Sequence, residues 1–198
     1  MNSPLTFPTD SNPYGVYYKN WTGKWWQWIF CLPRSINPLI DRTGRYCAEG
    51  QSGPVWFLAG TSGTVRSSKR RCTIPSGKAI LFPIVVSQFS FSEVPHINTE
   101  EELIDLTARD IDLCSLLQAS IDGIQLHDLE RYRVRLGPFI LHIYANNVWG
   151  IKPGVTKAVS DGYWVFLKPL SDGYHSIYFH GLEPHFETEV TYSISVIP

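Results

Sequence analysis

The segment YWVFLKPLSDGYHSIYFHGLEPHFETEVTYSISVI, residues 163–197, decides the fold class. Its first run, 163–168, follows the turn pair Asp161-Gly162 and reads as a strand; PLSDG turns the chain and YHSIYFHG returns it. In the closing stretch Val190, Tyr192, Ile194 and Val196 alternate with Thr191, Ser193 and Ser195. A period of two puts every second side chain on one face, so the stretch predicts a strand with one face buried.

The same signal recurs in the rest of the chain. In YRVRLGPFILHIY (132–144), Tyr132, Val134 and Leu136 alternate with Arg133 and Arg135, and Gly137-Pro138 marks a bend. LLQASIDGIQL (116–126) reads as a hairpin about Asp122-Gly123. AILFPIVV (79–86) is a buried strand whose Pro83 cannot donate to a ladder, so an edge or a bulge is expected there. VWFLAG (55–60) is a short strand after Gly53-Pro54; residues 61–71 read as a polar loop, followed by CTIP. Many short strands parted by Gly/Pro turns point to a mainly β fold: an antiparallel sandwich or a jelly-roll-like, partly open barrel.

Two helices interrupt the strands. Asn20 is placed to cap the first, in which Trp21, Trp25, Trp28 and Ile29 share a face that Trp26 and Phe30 widen, and Pro33 limits its end. Thr99 and Glu102 have capping-box spacing for the second, whose apolar positions are Leu103, Leu106, Ile111 and Leu113. Both are expected to cover an edge or an end of the sheets. Residues 1–19 form an irregular strap and 20–198 a single domain.

Composition limits function. With 17 basic against 18 acidic side chains the net charge is -1, which gives no long-range pull on a phosphate backbone, so nucleic acid is not an expected partner. No run approaches the length of a membrane-spanning helix, and the opening MNSPLTFPTDSNP carries no intact signal peptide. The four cysteines are too irregularly spaced for a zinc finger or ribbon. Cys47 and Cys72 lie in turn-rich sequence and can clip the loop between them, whereas Cys31 and Cys114 read as small buried hydrophobes.

The segments WTGKWWQWIFCLPRSINPLIDRTGRYCAEGQSGPVWFLAG, CTIPSGKAILFPI and DGYWVFLKPLSDGYHSIYFHG resemble a family of uncharacterised bacterial and archaeal proteins, many of them exported. The resemblance spans residues 14 to 181 and carries no assigned activity. It implies a shared fold and pairs Cys47 with Cys72, which favours an extracytoplasmic setting; a cytosolic one is the alternative.

Candidate sites are few. Trp25 and Trp26 offer rings that stack on a sugar, with core packing as the plainer role. Arg66, Arg70 and Arg71 offer a local anion patch, with a solvated loop as the plainer role. His180, Glu183 and His185 have the donor types of a divalent metal site if a turn at Gly181-Leu182 gathers them. The Gly60–Thr64 segment lacks the ending of a phosphate loop. No nucleophile elbow or paired acid and base is visible, and Asp110 reads as a solubilising helix residue. The expectation is a secreted or cell-surface module binding a protein, glycan or small ligand, without a cofactor. The alternatives are a metal-assisted hydrolase and a purely structural protein, and homo-oligomerisation is compatible with each.

Overall fold

In the computed structural model, which describes residues 5–63 and 66–198, the strands form a β-sandwich of two mixed sheets. The four-stranded sheet has the order β1 (Val55–Phe57), β3 (Ala79–Ser90), β7 (Gly154–Leu167), β6 (Arg133–Ile143). The five-stranded sheet runs β2 (Ser67–Pro75), β9 (Phe186–Ile197), β8 (Gly173–Glu183), β4 (Leu116–Ile121), β5 (Ile124–Gln125). The pairs β1–β3 and β2–β9 are parallel; every other pair is antiparallel.

Helix α1 (Tyr18–Cys31) lies on the outer face of the four-stranded sheet rather than over an edge or end, so that sheet is buried on both sides. This explains the unbroken apolar run in β3. Ile80, Phe82 and Ile84 enter the core between the sheets, while Ala79 and Leu81 pack under α1. The same division in β7 sends Val165 and Leu167 inward and Trp164 and Phe166 to the helix. Tyr18, Trp21, Trp25, Trp26 and Trp28 are all buried. Trp25 meets Trp164 edge-on at 5.3 Å, and its indole N–H donates to the Leu58 carbonyl at 2.9 Å. Five large rings thus fill one helix–sheet interface, where each removes much apolar surface from water.

Pro83 sits at a bulge, since the β3–β7 register shifts between Pro83 and Val85. It is tolerated because β1 pairs only with Ala79, Ile80 and Leu81, leaving β3 without a ladder neighbour on that side farther on. The bulge turns both Ile84 and Val85 inward, and β8 crosses them closely. A Cβ on Gly181 would lie 2.6 Å from the Val85 Cβ and 2.7 Å from the Ile84 carbonyl oxygen. Gly181 is therefore a close-approach position inside β8, and the chain turns later, at Pro184 and His185.

Several sequence expectations are corrected. Asp161-Gly162 does not turn the chain; β7 runs through it because Asp161 is buried and paired with Arg133 and Arg135. Residues 67–71 belong to β2, whose burial alternates strictly, so the basic run is a strand rather than a loop. Helix α1 starts at Tyr18, with Tyr17 and not Asn20 in the capping position. Helix α2 (Glu100–Asp112) has the expected Thr99–Glu102 capping box, but Leu113 falls beyond it and is 56% exposed. At Asp122-Gly123 both φ angles are positive, 53° and 78°, which is the backbone of a tight hairpin turn.

Cys47 and Cys72 form a disulfide with a Cα separation of 5.9 Å, tying the loop before β1 to β2. Cys31 and Cys114 are free and half-buried. The start of the chain is also tied in: Thr6 bridges to Leu167, and Phe7 meets the Phe166 ring edge-on at 5.0 Å. No helix among the described residues is long and apolar enough to cross a membrane.

Candidate functional site

Where β3 bulges away from the regular ladder, a cavity of about 210 Å³ opens between α1, α2 and the β8–β9 hairpin. The bulged segment itself, Pro83 to Gln88, forms its floor. Trp25 and Trp26 from α1 and Trp149 from the β6–β7 connection supply aromatic wall. Gly60, Thr61 and Ser62 line it from the loop after β1, and Phe186 and Thr188 from β9. The Thr61 N–H donates to Thr188 Oγ1 at 3.1 Å, which fixes that loop against the hairpin.

Three carboxylates line the cavity, and each is held. Glu93 accepts from Ser90 Oγ at 2.6 Å and Gln88 Nε2 at 2.9 Å. Burial pushes its carboxyl above the ordinary range, and those two hydrogen bonds pull it back only in part. Asp110, on the last turn of α2, accepts from Ser87 Oγ at 3.2 Å. Glu183 is 8% exposed and accepts the His185 backbone N–H at 3.0 Å. Among the described residues, no Lys, Arg or His side chain lines the cavity. Among the described residues, none forms an ion pair with Glu93, Asp110 or Glu183.

The Trp25 N–H is taken by Leu58 and the Trp26 N–H by Ser160 Oγ at 2.8 Å, so neither is left to donate to a guest. Trp149 is 41% exposed and stacks on Phe30 with centroids 4.5 Å apart. Trp25 and Trp26 thus serve the core and the cavity wall together.

The basic run is divided by the alternation of β2. Arg70 points inward and is 2% exposed, donating from Nε to the Asp41 carbonyl at 2.6 Å. Its Nη1 reaches the carbonyls of Ala59 and Gly60 and the Tyr192 hydroxyl, so it braces the loop that walls the cavity. Arg71 points outward into an open depression on the far face of the five-stranded sheet, beside Tyr174 and His175. Arg66 stands 3.8 Å from Glu187. The three arginines therefore share no patch. Of the Gly60–Thr64 segment, Thr64 lies outside the described residues.

The three metal-ligand candidates are likewise parted. His180 is on the outer face of β8 and meets Glu187 at 3.1 Å; Glu183 is on the inner face; His185 is exposed in the turn. Odd spacing along a strand sends His180 and Glu183 to opposite sides. Among the described residues, no three His, Cys, Asp or Glu side chains are grouped to hold a metal ion.

Asp122, His175 and Ser171 have the order of a catalytic triad but different chemistry. His175 Nδ1 is 2.8 Å from Asp122 Oδ2, and Nε2 is 2.9 Å from the Ser171 carbonyl oxygen. A carbonyl only accepts, so Nε2 carries a proton and has no lone pair for a serine. Burial works against the charged ring, but the Asp122 and Ser171 hydrogen bonds outweigh it and raise its pKa above 6.5. When protonated, the His175 ring clamps the β4–β5 turn and Ser171 to β8.

Compared with protein families, curated proteins and solved structures, the chain matches none.

Proposed function

We propose that this chain is a binding module for a small ligand, taken in the cavity walled by Trp25, Trp26 and Trp149. The observation that carries the reading is one recess combining three indoles with hydrogen-bonded carboxylates brought from distant parts of the chain. Concave sites with apolar walls and a few oriented polar groups are where small molecules bind. Most of the polar groups are held before a guest arrives, which lowers the ordering cost of binding. The disulfide, and the resemblance to exported proteins, support placing the module outside the cytoplasm.

The test is a ligand-observed NMR screen of fragments covering amines, sugars and acids, repeated on Trp149→Ala and Glu183→Gln. The reading expects saturable binders that compete for one site and weaken in both variants. A screen without saturable binders, or binders indifferent to both substitutions, would reject it.

A further inference from the structure

We infer that the ligand of this cavity is a small organic cation, an amine or quaternary ammonium, held by ring faces and carboxylates. The inference rests on the binding-module reading and adds the ligand's class.

The charge of the lining carries the argument. Glu93, Asp110 and Glu183 all border the recess, and among the described residues no basic side chain does. An anion entering it would meet only repulsion from charge of its own sign, strengthened by partial removal from water. Carboxylates with no ion-pair partner among the described residues favour a cationic guest, and a cation beside Glu93 would oppose the burial that disfavours its charged form. A metal ion answers the same charge but needs several ligands within bonding distance of one point, and no such group forms among the described residues.

The aromatic wall narrows the class. Two of the indoles have their N–H groups committed inside the protein, so they offer a guest no donor, and Trp149, 41% exposed, is the most accessible of the three rings. A ring face attracts a cation through its quadrupole, most strongly where water is excluded, and tryptophan is the best of the side chains at this. A neutral sugar would also stack on such rings, but it would leave the carboxylate charge unanswered. A cavity of about 210 Å³ holds the volume of about seven waters, enough for a trimethylammonium or cyclohexylammonium group.

The experiment is calorimetry on the whole chain with matched probes: choline against 3,3-dimethyl-1-butanol, cyclohexylamine against cyclohexanol, and methyl β-glucoside. Each cation should bind at least about tenfold more tightly than its neutral partner and weaken as salt is added. Asp110→Asn and Glu183→Gln, which keep side-chain shape, should each lower cation affinity about three- to tenfold, and by more than any loss they cause for the neutral probes. Circular dichroism and melting of both variants establish that they fold, and either suffices. If a neutral probe or the glucoside binds this cavity as tightly as the cations, the cation inference is overturned while the binding module stands. If nothing here or in the fragment screen binds, both are overturned.

Discussion

Replacing Arg70 with Met removes a charged group that is 2% exposed while keeping an unbranched apolar stem in its place. The wild-type guanidinium donates to the carbonyls of Asp41, Ala59 and Gly60 and to the Tyr192 hydroxyl. The Ala59 carbonyl keeps a donor, because the Tyr192 hydroxyl also points to it at 2.9 Å. The Asp41 and Gly60 carbonyls each lose one, at about 1–3 kcal/mol for a buried acceptor left without a partner. Against this, the charge no longer has to be buried, and Nη2, which has no partner among the described atoms, disappears. The expected net loss is about 3 kcal/mol, which for a chain of this length lowers Tm by about 6–12 °C. Urea unfolding with the m-value checked against wild type reads the loss directly. Arg71→Met, one residue along on the outer face, should cost no more than about 0.5 kcal/mol. Equal losses at the two positions, or less than about 1 kcal/mol at Arg70, would refute the reading of β2 as a strictly alternating strand braced by one inward arginine.

Other perturbations have definite outcomes. Gly181→Ala places a methyl against the Val85 side chain and the Ile84 carbonyl and should cost about 1–3 kcal/mol in urea unfolding; an unchanged midpoint would show that the sheets do not meet there. Replacing both Cys47 and Cys72 with Ser opens a crosslink of sequence separation 25, worth about 3.5 kcal/mol by loop-closure entropy. Non-reducing peptide mapping of the wild type should recover the two cysteines in one crosslinked fragment. The His175 clamp titrates with a folded-state pKa above its ordinary 6.5, so its stabilisation is full below that value and fades as pH rises through the folded one. Melting curves across neutral pH should therefore show a decline that His175→Gln flattens; a variant with the wild-type slope would deny the clamp.

Much of the β framework was legible because burial on one face leaves a period of two, as in β9. The β4–β5 hairpin was readable from Asp122-Gly123, and α2 from Thr99 and Glu102, because turn and cap chemistry is local. The boundaries that misled were those where distant partners overrule a local preference. Asp161-Gly162 looks like a turn, yet Arg133 and Arg135 hold Asp161 within a continuous strand, and a Cβ at Gly162 would lie 2.6 Å from the Val85 carbonyl oxygen. SSKRRC looks like a loop because one of its inward positions is an arginine, whose acceptors lie in other segments.

The cavity was less visible still. Trp25 and Trp26 are legible as rings, but Glu93, Asp110 and Trp149 carry no motif, and only the bulge of β3 and the seat of α2 bring them to one place. Asp110 reads as an ordinary solubilising residue until Ser87 and the recess are set beside it. His180, Glu183 and His185 show the opposite error, since nearness in sequence does not survive the alternation of a strand.

We propose that the recess lined by Trp149 receives the ligand. The most direct test is the indole ¹⁵N–¹H spectrum of the tryptophan-labelled protein, recorded while choline or a screened fragment is added. The signals of Trp25, Trp26 and Trp149 should shift to saturation with a common dissociation constant, while those of Trp56 and Trp164, outside the lining, stay in place. Saturable binding that leaves the first three unmoved, or moves only the other two, would contradict it.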